Sequence, residues 1–208
     1  MLVIFDADGT LVDTEVLGNE VLCELANEAG IDMTVEECLR EFRGRRLEDT
    51  QALMSKMAGR PMREDFIPEY RVRSNVAFEH RSVPMPGALE LVRSLPYQMC
   101  IASGGPHAKM DLTLAGSGLR ELFDGRIFSS YDVQSWKPEP ALFLHAARSM
   151  GFAPADCIVV EDSPPGFHAG LAAGMRTIAY QPHDLDPDLP AGVEIVRHLS
   201  EIGPLIRA

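Results

Sequence analysis

The chain has 208 residues, 46% of them hydrophobic and 24% charged, which is the composition of a globular protein with a sizeable core and excludes a disordered or fibrous one. A formal net charge of −12 excludes a broad nucleic-acid or anionic-membrane surface, so an anionic substrate needs a cation supplied locally. No apolar stretch approaches membrane-spanning length, and strand-like sequence follows Met1 directly, without a signal-peptide pattern; the expected address is the cytoplasm.

Val3, Ile4 and Phe5 suit a short buried strand, which ends at Asp6 and turns at Asp8 and Gly9. From residue 14 to about 80 the segments NEVLCELANEAG, TVEECLREF, RLEDTQALMSKMAG and REDFIPEYRVRSNVAFEH carry apolar positions at helical spacing, broken at Gly30, Gly59 and Pro61. RSVPMPGA, with Pro84, Pro86 and Gly87, reads as a linker. Strands and helices then alternate: YQMCIAS (strand), PHAKMDLTLAGSG (helix), GRIFSS (strand), PEPALFLHAARSMG (helix), CIVVEDS (strand), PGFHAGLAAG (helix) and RTIAY (strand), with a last strand and helix in GVEIVRHLSEIGPLIRA.

Such alternation predicts an α/β fold, a parallel sheet with helices on both faces. The helical block interrupts it after the first strand, giving a core of residues 1–13 and 84–208 and an inserted helical cap of residues 14–83. The four cysteines, Cys23, Cys38, Cys100 and Cys157, match neither a zinc pattern nor a disulfide framework and are expected reduced, in or near the core.

Candidate site residues fall at the carboxyl ends of four predicted strands: Asp6 with Asp8, Ser103, Lys137, and Glu161 with Asp162. A parallel sheet gathers those ends along one edge. Side chains two apart on an extended segment share a side, so one carboxylate, Asp6, can attack a phosphorus atom while the other, Asp8, moves a proton. Clustered carboxylates repel a phosphate unless a cation intervenes, and hard oxygen ligands suit Mg²⁺, with Asp6, Asp162 and the Asp8 carbonyl as the donors. Ser103 is followed by Gly104, Gly105 and Pro106, a glycine turn into a helix where backbone approaches an anion closely. Lys137, directly before a helix expected to start at Pro138, sits where a cation is disfavoured unless an anion is near.

The segments DADGTLVDTE, CIASGGP, SWKPEPALF and VVEDSPPGFHAGLAAGM, in that order, resemble the four motifs of the haloacid dehalogenase (HAD) superfamily, and the helical insert is similar to the cap of its β-phosphoglucomutase-like phosphatases. The resemblance implies a HAD-like Rossmannoid core and a phosphatase working through an aspartyl phosphate. By it, Asp6 is the nucleophile, Asp8 the general acid/base and a Mg²⁺ ligand through its carbonyl, Ser103 and Lys137 the phosphate holders, Asp162 a Mg²⁺ ligand and Glu161 a second metal-site carboxylate. Trp136 departs from the glycine that relatives often carry before the lysine. The implied partner is a small phosphorylated metabolite, a sugar or sugar-acid phosphate with 6-phosphogluconate favoured; no nucleic acid or membrane is expected, and the oligomeric state is left open.

In the cap, Gly44, Arg45 and Arg46 are expected in a loop, Arg45 being the better candidate to meet a substrate carboxylate or the far end of a substrate and Arg46 reading as a solvated surface charge; Glu15, next to the crossing into the cap, either orients substrate or hinge or simply favours the start of the first cap helix. None of the six histidines, His80, His107, His145, His168, His183 and His198, has metal-site spacing, and only His107 lies near the phosphate loop. A mutase is disfavoured because Gly18 lies in the stretch where mutases of the family place a histidine, and a dehalogenase because Asp8 then has no leaving oxygen to protonate. A phosphorylatable receiver is argued against by the motif order and the helical insert; a non-catalytic phosphate-binding protein would usually lack one of the residues present.

Overall fold

The computed structural model describes residues 1–42, 45–182 and 185–207. Gly44 and His183 lie outside the described residues. The chain divides into two compact units, 1–12 with 83–208, and 13–82.

The first unit is built on a six-stranded parallel sheet. Its strands are β1 (Leu2–Phe5), β4 (Gln98–Ser103), β5 (Ile127–Ser129), β6 (Cys157–Glu161), β7 (Arg176–Tyr180) and β8 (Glu194–Val196), in the order β5-β4-β1-β6-β7-β8. Two further strands, β2 (Val12–Asp13) and β3 (Val83–Pro84), pair with each other where the chain leaves and re-enters this unit. The helices of the first unit are α5 (Ala88–Ser94), α6 (His107–Gly116), α7 (Ser130–Val133), α8 (Ala141–Met150), α9 (Pro164–Ala172) and α10 (Ile202–Arg207).

Alternation along the strands sends side chains to two separate cores. Val3 and Phe5 face one side with Ile101, Val160 and Ile178, packed against α5, α6 and α10; Leu2 and Ile4 face the other with Cys100, Ala102 and Val159, packed against α8 and α9. Because both faces are covered, all four residues of β1 are fully buried. β1 lies at the centre with β4 on one side and β6 on the other, pairing Phe5 with Ile101 and with Val160. The order reverses there, and a crevice at such a switch point is where open α/β sheets bind ligands.

The second unit is helical: α1 (Glu15–Glu28), α2 (Val35–Phe42), α3 (Leu47–Met57) and α4 (Phe66–Arg81). Val21, Leu22, Leu25, Cys38, Met54 and Phe66 form its own buried cluster. No helix among the described residues is long and apolar enough to cross a membrane.

The α/β class and the parallel sheet agree with the sequence reading, and three local points correct it. The stretch read as a linker contains β3. The helix after Lys137 begins at Ala141, not Pro138, because residues 138–140 form a turn first. α5 and α7 went unread, being only seven and four residues long.

Candidate active site

Asp6 is the first residue beyond β1, and its amide continues the sheet ladder by donating to the Val160 carbonyl at 2.9 Å. The chain then closes a tight turn in which Leu11 and Val12 amides donate to the Ala7 carbonyl at 3.0 and 2.9 Å, with Gly9 at φ +80°. A Cβ on Gly9 would lie 2.3 Å from Asp162 Oδ2, so this turn and the end of β6 pack too closely for any side chain. Thr10 Oγ1 donates to Asp162 Oδ1 at 3.0 Å, and Gln181 Nε2 donates to the Asp162 carbonyl at 2.9 Å.

Lys137 reaches Asp6 and Glu161 together. Its Nζ donates to Asp6 Oδ1 at 2.5 Å and to Glu161 Oε1 at 2.6 Å, and stands 5.0 Å from the Phe143 ring centroid. The second oxygen of Glu161, Oε2, accepts from the Asp162 amide, the Ser163 amide and the Ser163 hydroxyl at 2.7–2.9 Å. These side chains are 8% (Asp6), 10% (Lys137) and 1% (Glu161) exposed, so their charges interact with little screening. Burial pushes the Asp6 carboxyl up to about 7; Lys137 offsets part of this, while Glu161 and Asp8 add to it. Burial alone would favour neutral Lys137, but Asp6 and Glu161 more than reverse that and hold it charged, its pKa above the ordinary lysine value.

A third group gathers around the glycine loop. Ser103, buried at the end of β4, accepts the Gly105 amide on its Oγ at 3.1 Å. Lys109, in the first turn of α6, donates to Asp8 Oδ2 at 2.8 Å. A Cβ on Gly105 would stand 3.5 Å from Lys109 Cδ, 3.6 Å from Ser103 Oγ and 3.8 Å from Asp8 Oδ2, so all three side chains converge on this glycine. The loop is tied down from outside. Ser129 Oγ donates to the Gly105 carbonyl at 2.6 Å, and the Asp132 carboxylate accepts from the Ser129 amide at 2.8 Å and meets His107 Nε2 at 2.9 Å.

A family model described as a haloacid dehalogenase-like hydrolase matches residues 1–174. The chain belongs to the haloacid dehalogenase-like hydrolases. It is 34% identical over 210 residues to the 6-phosphogluconate phosphatase of Escherichia coli K12, covering 99% of this chain and 94% of that one. It is 32% identical over 205 residues to hexitol phosphatase A of the same organism, covering 95% and 90%. The crystal structure of a HAD family hydrolase from Deinococcus radiodurans R1 with bound phosphate and sodium has a TM-score of 0.82 at 28% identity, covering 99% of this chain and 94% of that one. As a HAD-family enzyme with these relatives, the protein is a phosphoric monoester hydrolase.

Among the described residues no group of three or more His, Cys, Asp or Glu side chains is arranged to hold a metal ion. The chemistry of the donor set nevertheless fits a hard cation of the HAD type, since the Asp6 and Asp162 carboxylates and the Asp8 carbonyl are all oxygen ligands. A cation would also offset the burial, and with it the nearby Glu161 and Asp8 charges, that raise Asp6. Glu161 is differently placed, with both oxygens engaged by Lys137, the backbone and Ser163.

The cap residues belong to the helical unit. Glu15 opens α1, its carbonyl accepting from Asn19 Nδ2 at 2.9 Å. Arg45 is exposed and its Nε donates to the Glu41 carbonyl at 2.6 Å; Arg46 pairs with Glu48 at 3.8 Å. Gly104 has open space around its Cβ position. Sequence reasoning overlooked Lys109, a cation in the first turn of α6, although it singled out Lys137 for standing just before an expected helix start that lies at Ala141 instead. It also overlooked Thr10, Ser129 and Asp132, whose partners Asp162, Gly105 and His107 are distant in sequence.

Proposed function

We propose that this phosphatase is Mg²⁺-dependent and hydrolyses a small sugar or sugar-acid phosphate, 6-phosphogluconate first, through an aspartyl phosphate on Asp6. The observation that carries the reading is the Lys137 ammonium seated on Asp6 at the carboxyl edge of the parallel sheet. It supports a buried nucleophile with a cation beside it, able to receive the oxygens of a phosphate.

In the first step an Asp6 oxygen bonds to phosphorus and the ester P–O bond breaks, while Asp8 gives its proton to the departing alkoxide. In the second, Asp8 takes a proton from a water whose oxygen bonds to phosphorus, and the P–O bond to Asp6 breaks, restoring the carboxylate. One ester and one water yield one alcohol and one inorganic phosphate. Proton transfer of this kind contributes about 10² to 10⁴ in rate. Ser103, the Gly104 amide and Lys137 hold the phosphate oxygens. Asp6, Asp162 and the Asp8 carbonyl would hold Mg²⁺, which when bound supplies positive charge against the phosphate and the acids around it. Glu161, committed to Lys137 and the β6–α9 amides, serves to fix the lysine, and any part it takes in the metal site runs through water.

The partner is a small phosphorylated metabolite, not nucleic acid or membrane, in keeping with the net charge of −12. The relatives named for 6-phosphogluconate and hexitol substrates support a sugar-derived ester. Glu15 and Arg45 are assigned to the far end of the substrate, Arg45 to its carboxylate. Four free, buried cysteines support a reducing, cytoplasmic setting.

The test is phosphate release, with and without Mg²⁺, from 6-phosphogluconate, hexose phosphates, glycerol phosphate, nucleotides and flavin mononucleotide, run beside Asp6→Asn. Mg²⁺-dependent turnover abolished by the variant is expected, with a sugar or sugar-acid phosphate preferred. A folded protein that binds Mg²⁺ and releases phosphate from none of these esters sinks the proposal.

A further inference from the structure

We infer that Lys109 is a positioning residue for Asp8, its ammonium holding one carboxyl oxygen at the glycine loop so that the other addresses the leaving-group oxygen. The inference rests on the phosphatase reading and on the assignment of Asp8 as acid and base.

Three observations carry it. Lys109 Nζ lies 2.8 Å from Asp8 Oδ2, a contact across 101 residues of chain that joins the turn after β1 to the first turn of α6. Helix side chains lean toward the N-terminus, which directs Lys109 back over the Ser103–Gly105 loop, and a Cβ on Gly105 would sit within 3.5–3.8 Å of Lys109, Ser103 and Asp8 together. The loop is braced from outside, since Ser129 Oγ donates to the Gly105 carbonyl at 2.6 Å and the Asp132 carboxylate meets His107 at the start of α6. Lys109 is therefore anchored to a braced element.

A carboxyl group that rotates freely offers its proton in many directions; one with Oδ2 fixed presents Oδ1 along a defined line. Lys109 and Asp8 are each about a quarter exposed, so the pair adds little to stability and its effect falls on geometry. Misplacing a reacting group by about 1 Å can cost on the order of 10²-fold in rate.

The experiment compares wild type, Lys109→Met and Lys109→Arg on two esters, with unfolding temperatures measured alongside. One ester is whichever of 6-phosphogluconate, the hexose phosphates and glycerol phosphate the wild type hydrolyses fastest, an alkyl leaving group that needs a proton. The other is p-nitrophenyl phosphate, whose phenolate leaves without one. The value of kcat/KM reports the first phosphoryl transfer. For Lys109→Met it is expected to fall about 10- to 100-fold on the alkyl ester and less than about threefold on the aryl ester. Inhibition by inorganic phosphate should stay within about twofold of wild type, and Lys109→Arg should recover part of the alkyl-ester loss. An equal fall on both esters, or weakened phosphate inhibition, makes Lys109 a phosphate ligand and overturns the inference. So does an unchanged Lys109→Met, or an Arg variant as slow as Met. Wild type inactive on every ester would remove the phosphatase reading itself, an outcome visible before any variant is made.

Discussion

The Glu161 carboxylate lies 2.6 Å from the Lys137 ammonium, both almost fully buried, and Asp6 shares the same ammonium. Two acids thus share one cation in a place where water screens none of the three. Replacing Lys137 by Met leaves both acids buried without a countercharge, a loss of about 3–5 kcal/mol. Urea unfolding at neutral pH should show it, together with loss of activity. Glu161→Gln is expected to cost less, about 1–3 kcal/mol, because its amide nitrogen must face either Lys137 or the Asp162 and Ser163 amides, donor against donor. A Lys137→Met protein as stable as wild type would show that the ammonium is not needed there.

Gly166 and Gly9 are required by space. A Cβ on Gly166, in the first turn of α9, would fall 2.0 Å from the Glu161 carboxyl carbon, and Glu161 is pinned by its partners and cannot retreat. Gly166→Ala is expected to lose about 1–3 kcal/mol through overpacking and to slow phosphate release by displacing Lys137. Gly9→Ala meets Asp162 at 2.3 Å and adds a left-handed backbone position, worth roughly 1–2 kcal/mol more. Gly104→Ala is the control, since nothing lies within 4 Å of its Cβ position, and its stability should stay within about 0.5 kcal/mol of wild type. Thermal unfolding of the three variants side by side separates them.

The raised pKa of Asp6 gives the metal-free protein a pH dependence with a definite sign. An unfolded aspartate loses its proton near 3.8, whereas folded Asp6 keeps its own up to about 7. Between those values the native state binds more protons than the unfolded one, so stability falls as pH rises through that window. Urea unfolding of metal-free protein from pH 4 to 8 should show the slope, and Asp6→Asn should flatten it. Mg²⁺ favours the carboxylate and is expected to move the Asp6 midpoint downward, observable by carbon NMR of labelled aspartate. A slope identical in wild type and Asp6→Asn would place the titration elsewhere.

Much of the core was legible because its signals are local. Four residues of β1, buried on both faces, leave no polar position until Asp6, and the glycine after Asp8 marks the turn; each is visible in a window of ten residues. The alternation of strands and helices after residue 96 gave the sheet for the same reason. What escaped depends on distant partners. Lys109 gains its meaning only from Asp8, and the Ser129–Asp132 brace only from the loop it holds. Glu161 and Asp162 look equivalent in sequence, yet β6 ends between them: Glu161 turns into the buried Lys137 and Asp162 meets the Thr10 turn. A helix boundary such as that after Lys137 escaped because Pro138 and Pro140 both suit a first turn, and only packing chooses.

Thiol chemistry provides a test, independent of catalysis, of the sheet face packed against α8 and α9 and of the cluster in the helical unit. All four cysteines are free and buried. Burial pushes Cys100 up to about 12, and burial with its neighbour Cys23 does the same for Cys38; Cys157 is also raised by burial. The thiolate is the reactive species, so these three stay protonated and unreactive at pH 8. Cys23 is shielded by packing, with its Sγ 3.1 Å from the Met33 carbonyl. Iodoacetamide at pH 8 should leave the native protein unmodified and label all four thiols in urea, read by intact mass. Rapid modification of Cys38 alone would mean that the helical unit opens on its own, whereas modification of Cys100 requires the sheet itself to separate from α8.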